Sequence, residues 1–263
     1  MQRAVIGTIF VFTVSACGNG VTSPSSYMNT VRTFADASGV VALSRADANG
    51  NPAKYMLVSK DISTATDAAS GEYSLTPIST SQDGNFYAQV SEGAAENGQA
   101  LVVSTVGENL NASGSEYASM SVVTINGQPG LLTGGAAASS LPNGTYVYTG
   151  PATVVDDVVN AGDGSFTLSA NFDTNTASLS ASTIAGLSTN GTAYFFSGSD
   201  MQIDQSEGSF STVTGLIGET GGASESASVK GYSAGTAAKG VHGIAYTNDT
   251  AAPDLVGGFY GSR

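Results

Sequence analysis

The sequence predicts an all-β chain in which a small antiparallel sheet domain precedes an eight-stranded antiparallel β-barrel. The first observation is strict alternation of apolar and polar residues from Ser165 to Phe172, resumed from Ala177 to Ala181. Alternation of this kind places one set of side chains on each face of a strand. The second observation is that turn residues recur at short intervals along the chain, whereas no segment has convincing helical periodicity.

The composition supports this fold class and limits the partners. A chain of 263 residues with 34 glycines, no tryptophan and 41% hydrophobic residues favours strands and turns around a modest core. The persistence of the alternation argues against disorder. The formal net charge is -13 with only 8 Lys and Arg residues, which argues against a basic patch for nucleic acid or anionic lipid. The acidity is consistent with solubility or with an acidic docking surface.

The N-terminus has the pattern of an export signal. Arg3 precedes an apolar run over residues 4–14, and the small residues Ser15 and Ala16 lead to Cys17, the one cysteine of the chain. The run is too short to span a bilayer, so residues 1–16 are predicted to be a secretory signal peptide.

The segment ending at Cys17 resembles the lipobox of bacterial lipoproteins; an ordinary signal peptide with a chance cysteine is the alternative. The resemblance implies that the Cys17 thiol takes a diacylglycerol, that cleavage occurs before it, and that its new amine is acylated. Gly18, in place of Asp, implies sorting to the outer membrane. Residues 17–30 then form a lipidated tether, and two or three acyl chains give an almost permanent anchor.

Residues 31–133 are predicted to form the small antiparallel sheet domain. Its breaks are Asn-Gly and Asp-Gly pairs at positions 49, 83, 97 and 126, which supply the positive φ angles that tight hairpins require. The predicted strands are Val40–Leu43, Tyr55–Ser59, Tyr73–Ile78, Phe86–Val90, Leu101–Val106 and Tyr117–Ile125.

One segment of this domain resembles the start of a calcium loop. Asp47, Asn49 and Asn51 place oxygen ligands at alternate positions, but Pro52 stands where glycine is required and no bidentate glutamate follows. A hairpin turn is the preferred interpretation.

Residues 141–263 are predicted to form the barrel, after a boundary in the small-residue run 134–140. Eight or nine strands are expected, with Gly198, Gly215, Gly243 and Gly257 marking bends or bulges. Besides the 165–181 hairpin, with its turn at 173–176, the predicted strands are Thr145–Thr149, Thr192–Ser197, Met201–Asp204, Ser209–Ile217, Ser226–Tyr232, Val241–Tyr246 and Leu255–Tyr260.

Three motifs in this half resemble the barrel domain of transferrin-binding protein B, whose fold is shared by factor H-binding protein and other surface lipoproteins of Gram-negative bacteria. They are GTYVYTG from Gly144, GDGSFTLSANFDTNTASLS from Gly162, and VGGFYG from Val256. The resemblance covers residues 141–263 and implies that residues 31–133 are the "handle" domain. The family's full-length receptors carry two handle-plus-barrel lobes, and 263 residues accommodate one. No transferrin-contact residue carries over, because those contacts come from variable loops.

The candidate catalytic and metal-binding residues are few. His242 is the one histidine and lies in a predicted strand without a nucleophile elbow, so a structural or surface role is preferred to that of a triad base. With Cys17 assigned to lipid, a zinc site is poorly supported. Asp173-Thr174-Asn175 is similar to the Asp-Thr-Gly of aspartic proteases, but a second such tripeptide is missing and a hairpin turn is preferred.

Two further groups remain open as contact residues. The acidic pair Asp156-Asp157 could hold a cation, although an exposed loop rim is preferred. Six tyrosines are divided between core and partner contacts in a way that the sequence does not resolve. They are Tyr146, Tyr148, Tyr194, Tyr232, Tyr246 and Tyr260.

The sequence therefore predicts a non-enzymatic outer-membrane lipoprotein, lipidated at Cys17, without a catalytic residue, metal or cofactor. The leading hypothesis is a monomeric binding module, surface-exposed or facing the periplasm, that captures an iron carrier or another host or environmental protein through barrel and handle loops. The alternative is a structural lipoprotein that interacts with the envelope and captures no ligand.

Overall fold

The computed structural model describes residues 30–35, 40–46, 52–59, 72–95, 100–125, 128–156, 160–188, 191–248 and 255–263. The export signal, Cys17, residues 47–51 of the calcium-like segment and Asp157 lie outside the described residues. Within the described part of the chain, no helix has the length and hydropathy needed to cross a membrane.

The N-terminal unit consists of eight antiparallel strands in the order β1-β2-β3-β8-β7-β6-β5-β4, with β1 also paired to β4, so the strands close into a ring. All six predicted strands are present within it, and β1 and β8 are additional. Asp83 and Phe86 are register partners across a tight turn with Gly84 at φ 58°, as the Asp-Gly pair predicts. The strands are β1 Thr30–Ala35, β2 Val40–Ala46, β3 Pro52–Ser59, β4 Glu72–Asp83, β5 Phe86–Ala95, β6 Ala100–Asn109, β7 Tyr117–Ile125 and β8 Gln128–Ala136.

The C-terminal unit is the predicted closed antiparallel barrel, with eight strands in the order β10-β11-β12-β13-β14-β15-β16-β9. The two segments predicted at 192–197 and 201–204 belong to one strand, which reduces the expected eight or nine strands to eight. The strands are β9 Thr145–Asp156, β10 Asn160–Asn171, β11 Thr176–Ser188, β12 Tyr194–Asp204, β13 Ser209–Glu219, β14 Ser224–Ala234, β15 Gly240–Thr247 and β16 Leu255–Ser262.

The hairpin of β10 and β11 has the predicted alternation. Phe166, Leu168 and Ala170 are buried and face Ala181, Leu179 and Ala177 across the ladder, whereas the intervening Ser178 and Ser180 are exposed. The turn is stabilised by the Asn171 Oδ1 atom, which accepts bonds from the amides of residues 173 and 174 at 3.0 and 3.1 Å. Asn175 takes the left-handed conformation, with φ 57°.

The barrel interior is a single apolar core, with Phe259 at its centre. The Phe259 ring lies 4.9 Å from the ring of Phe166, 6.1 Å from Phe196 and 6.3 Å from Phe210, measured between centroids. These separations are within the range of favourable aromatic pairs. An eight-stranded barrel is narrow enough for side chains to fill, and this one is filled.

The four glycines predicted to mark bends or bulges in the barrel strands fall into two groups. Gly198 and Gly215 lie at irregularities of the ladder, as expected. Gly243 and Gly257 lie in regular register, without a bulge. A Cβ atom at Gly243 would lie 2.5 Å from the Phe259 ring, and one at Gly257 would lie 2.7 Å from the Phe196 ring. These two positions lack a side chain because the aromatic core occupies the space.

The two units pack against each other through an apolar interface. Met120 and Leu131 of the N-terminal unit pack in one cluster with Ile244, Val256 and other residues of β14 to β16. All eight residues of β15 are buried as a result.

The interior of the N-terminal unit is more polar in its described part. Gln89, Thr105 and Ser121 are buried register partners on three adjacent strands, and the hydroxyls of Thr105 and Ser121 lie 2.7 Å apart. Because Val106 and Met120 on the same strands pack towards the barrel, these polar residues point to the opposite face, into the ring.

Candidate binding groove

His242 is a structural residue of the interface between the two units. It is 1% exposed, its Nδ1 atom lies 3.2 Å from the Thr133 hydroxyl, and its ring centroid lies 5.9 Å from that of Tyr232. Burial lowers the pKa of His242 from 6.5 to about 3, so the imidazole is neutral at physiological pH. Of the two roles predicted for His242, structural or surface, its burial favours the structural one.

The acidic candidates do not form a reaction centre in the described residues. Asp173 lies in the β10–β11 turn, where its Oδ1 atom accepts a bond from the Gly144 amide at 2.9 Å, as expected for a hairpin residue. Asp156 ends β9, next to residues outside the described ranges. Among the described side chains, no group of three or more His, Cys, Asp or Glu residues could hold a metal ion. Nothing in this part of the chain points to catalysis.

The structure sorts the six candidate tyrosines. Two are partly exposed, Tyr146 and Tyr232. Tyr146 lies under the Arg263 guanidinium, whose central carbon is 3.7 Å from the ring centroid. The other four are buried and belong to the core or to the interface: Tyr148, Tyr194, Tyr246 and Tyr260.

The described residues contain a groove on the outer wall of the barrel, and it begins at a local opening between β12 and β13. Ser197 pairs with Leu216 and Gln202 pairs with Ser211, but the four residue pairs between them form no ladder. The register is the same on both sides of the gap, so the ladder is interrupted over these four pairs and then resumes. Asp200, inside the gap, has a φ of 52°.

The groove has a volume of about 360 Å³ and extends over the outer faces of β10 to β13. Its floor includes Gly198 and Gly215, the two glycines at the irregular positions. Most of the other lining residues carry hydroxyls, and they include Thr167, Ser178, Ser180, Ser197, Ser199 and Thr214.

None of the described residues that line the groove is charged; charged residues make up 11% of the whole chain. Its most exposed apolar side chain is Leu216, at 44% exposure. The two strands on either side of β12, β11 and β13, also carry Ile184, Leu187 and Val213 with more than half of each side chain exposed. Patches that are poor in charge and contain exposed aliphatic residues are typical of the centres of protein interfaces.

The groove faces away from the N-terminal unit. In the ring order of the barrel, β11 and β12 lie across from β15 and β16, the strands that contact the N-terminal unit. The groove is therefore not covered by the rest of the described chain. Sequence reasoning missed this site, although Gly198 and Gly215 were the signal that marked it.

Comparisons with solved structures find similar proteins. No protein-family model and no curated protein matches the sequence. Intact Ap-TbpB, with its N and C lobes, is 13% identical with a TM-score of 0.48, and the match covers 85% of this chain and 52% of that one. A double mutant of the vaccine antigen transferrin binding protein B from Haemophilus parasuis Hp5 has the same identity and TM-score over 85% of this chain and 51% of its own.

A third similar structure is the isotype 1 transferrin binding protein B from serogroup B Neisseria meningitidis. It is 8% identical with a TM-score of 0.41, over 86% of this chain and 66% of its own. This chain spans about half the length of the first two structures. It is thus an all-β protein with an eight-stranded barrel that is similar to structures of transferrin-binding protein B.

Proposed function

We propose that this chain is a lipid-anchored, non-enzymatic outer-membrane protein that captures a protein ligand, either an iron carrier or another host or environmental protein. The observation that carries the proposal is the uncharged groove on the outer wall of the barrel, with Leu216 exposed beside it. The residues expected to contact the partner are those of the groove and of the flanking strands, in addition to the barrel and handle loops.

The physical case for protein capture is the composition of the groove, which combines an uncharged, hydroxyl-rich lining with the exposed Leu216. Charge depletion is the compositional mark of interface centres, because a buried charge loses hydration that a partner seldom restores. Exposed aliphatic side chains gain free energy when a partner covers them, at about 25 cal/mol per Å².

The anchor completes the proposal. Lipidation at Cys17 would hold the protein at the membrane, and the segment up to residue 30 would let the barrel reach a partner. Full-length Cys17→Ala should be released from the membrane fraction, whereas wild type remains bound. A Cys17→Ala protein that stays with the membranes would refute the lipid anchor. Protease shaving of intact cells would then show whether the domain faces the outside.

Ligand capture is tested with the full-length lipoprotein in detergent against a defined panel of transferrin, lactoferrin and haemoglobin by surface plasmon resonance. We expect one of these to bind, and Leu216→Asp to weaken that binding by about tenfold or more, the size expected of an interface hot spot. Ile78→Asp is the matched control, since Ile78 is 55% exposed on the N-terminal unit.

Two outcomes would contradict the proposal. If no member of the panel binds and deletion of the chain weakens the envelope without changing iron-limited growth, the structural lipoprotein is the better description. If both aspartate variants bind as wild type does, capture does not involve the groove.

A further inference from the structure

We infer that the partner segment that enters the groove is an uncharged, extended stretch of polypeptide, held by the groove hydroxyls through its main-chain amides. This inference rests on the proposed function and specifies the chemistry of the same site. Three properties of the groove lead to it: its lack of charge, the spacing of its hydroxyls and the absence of an aromatic ring from its lining.

The lack of charge disfavours a charged occupant. None of the described lining residues is Asp, Glu, Lys or Arg, and Asp200, in the neighbouring gap, is not among them. A lysine or carboxylate seated among the lining residues would lose water without gaining a counter-ion from them, and such burial is costly. A partner drawn to this acidic chain by basic residues would therefore place them elsewhere on the surface and present a neutral segment to the groove.

The hydroxyls match the hydrogen-bonding pattern of a polypeptide. Each Ser or Thr hydroxyl donates one bond and accepts up to two, so a row of them satisfies both the N–H and the C=O of a peptide group. On β11 the hydroxyls come from Ser178 and Ser180, and on β12 from Ser197 and Ser199. In each row they are two residues apart, which is roughly 7 Å along a strand. An extended peptide repeats over the same roughly 7 Å, so the two patterns stay in phase.

The lining favours a peptide over a sugar chain. Sugar rings are usually held against the face of an aromatic side chain, and none of the described lining residues is Phe, Tyr or Trp. Leu216 instead provides an aliphatic contact at 44% exposure, which suits an apolar side chain of the partner. The backbone of Gly198 and Gly215, at the interruption of the β12–β13 ladder, forms part of the groove floor.

Binding in the groove should depend on salt concentration differently from general electrostatic attraction. Binding of a basic partner by an acidic surface weakens steeply as salt screens the charges. Neutral hydrogen bonds and apolar contacts in the groove are much less sensitive to salt. Affinity measured at the groove should change by less than about twofold between 50 and 500 mM NaCl.

The test uses the full-length lipoprotein and blocked, fluorescently labelled hexapeptides in anisotropy titrations. The probes alternate valine with threonine, valine with lysine, or valine with glutamate, and labelled maltohexaose tests a neutral glycan. We expect the valine–threonine peptide to bind with the stated salt independence. Ser180→Asp should weaken it by about tenfold or more, and Ser180→Ala by a smaller factor.

Ser165→Asp is the matched control, because Ser165 is an exposed outward residue on β10 that does not line the groove. All three variants change exposed serines on strands, and their thermal unfolding confirms that they fold. Equal binding of a charged peptide, binding of the glycan alone, or equal weakening by Ser165→Asp and Ser180→Asp would each overturn the inference.

The two proposals fail in different ways. If transferrin or another panel protein binds but Ser180→Asp leaves that binding unchanged and no hexapeptide binds, the inference about the groove is wrong and capture stands. If the valine–threonine peptide binds at the groove but no panel protein does, the chemistry of the groove is supported and capture of those carriers is contradicted.

Discussion

Two strands of the same barrel, β11 and β15, differ completely on their outer faces. Along β11 the side chains alternate between buried and exposed as far as Ile184, whereas every residue of β15 is buried. Both strands line the same apolar core with their inward side chains. The difference lies outside the barrel, where the N-terminal unit covers His242 and Ile244 and where β11 faces the groove and solvent.

This contrast shows that the polarity of a strand's outer face reports what lies against it. The barrel is closed and filled without the N-terminal unit, so the outer side of β15 could be polar as on β11. Instead it presents an imidazole, a branched aliphatic side chain and a tyrosine to the other unit. The interface is therefore built into the sequence of β15, while the uncovered wall carries serines and threonines.

The largest effect is expected in the core that both strands share. Phe259→Ala removes the ring that contacts Phe166, Phe196 and Phe210, and should lower the free energy of unfolding by about 3–5 kcal/mol. Urea denaturation followed by circular dichroism measures it. Phe86→Ala is the control, since Phe86 is 52% exposed and its loss should change stability by about 0.5 kcal/mol or less. Similar losses in the two variants would contradict a single packed barrel core.

Two outward-facing isoleucines test the contrast between the strands directly. Ile244 on β15 is 0% exposed and Ile184 on β11 is 58% exposed, although both point away from the barrel interior. Ile244→Ala should cost about 2–4 kcal/mol because it opens a cavity at the interface, and Ile184→Ala about 0.5 kcal/mol or less. The same denaturation assay compares them. Equal costs would mean that the N-terminal unit does not cover β15 in solution.

Strands with one face in solvent could be predicted from the local sequence. The hairpin of β10 and β11 could be predicted because Phe166, Leu168 and Leu179 alternate with hydroxyl residues around a turn. The Asp83-Gly84 turn could be predicted because a tight hairpin needs a positive φ there. β15 was placed correctly as a strand, but its double burial could not be predicted, because that depends on residues more than a hundred positions earlier.

The groove could not be predicted for a related reason. Gly198, Ser199 and Asp200 have the composition of a turn, so the sequence predicted two strands where there is one. The strand continues through them because its ladder with β13 is interrupted by an equal number of residues on both strands. Pairing therefore resumes in the same register. The turn-like composition is visible in the sequence. Whether it ends the strand depends on β13, and short-range patterns do not identify that partner strand.

Because His242 of β15 is buried, the stability of the protein should depend on pH. β11 has no such group and cannot contribute an effect of this kind. The pKa of His242 is about 3 in the folded chain and 6.5 in the unfolded chain, so between these values only the unfolded chain binds the proton. Stability therefore falls as the pH drops below 6.5, by about 2 kcal/mol at pH 5. His242→Gln should lose this component, measured as the difference between the urea midpoints of the two proteins at pH 7.5 and 5. Parallel pH profiles would contradict a buried neutral imidazole.

The smallest effect is expected at the end of the barrel, where an inward side chain is polar. The Tyr148 hydroxyl donates to the Ala238 carbonyl at 2.7 Å, and Ala237 and Ala238 both have positive φ, at 53° and 52°. Tyr148→Phe should cost about 1 kcal/mol, because a buried carbonyl loses its donor in a strained turn. Burial raises the pKa of Tyr148 to about 12, opposed by Arg263, so the variant should also lose one late step in the alkaline absorbance titration of tyrosine.

Tyr146→Phe is the matched control for this last change, because Tyr146 lies two residues earlier on the same face of β9, at the partly exposed end of the barrel core. Its ring keeps the contact with the Arg263 guanidinium after the hydroxyl is removed, so its stability should change by about 0.5 kcal/mol or less. A cost for Tyr146→Phe equal to that for Tyr148→Phe would show that the loss does not come from the bond between the Tyr148 hydroxyl and the Ala238 carbonyl. The barrel end would then be stabilised by the tyrosine rings, and a polar group on the inward face would contribute no more than one at the partly exposed edge.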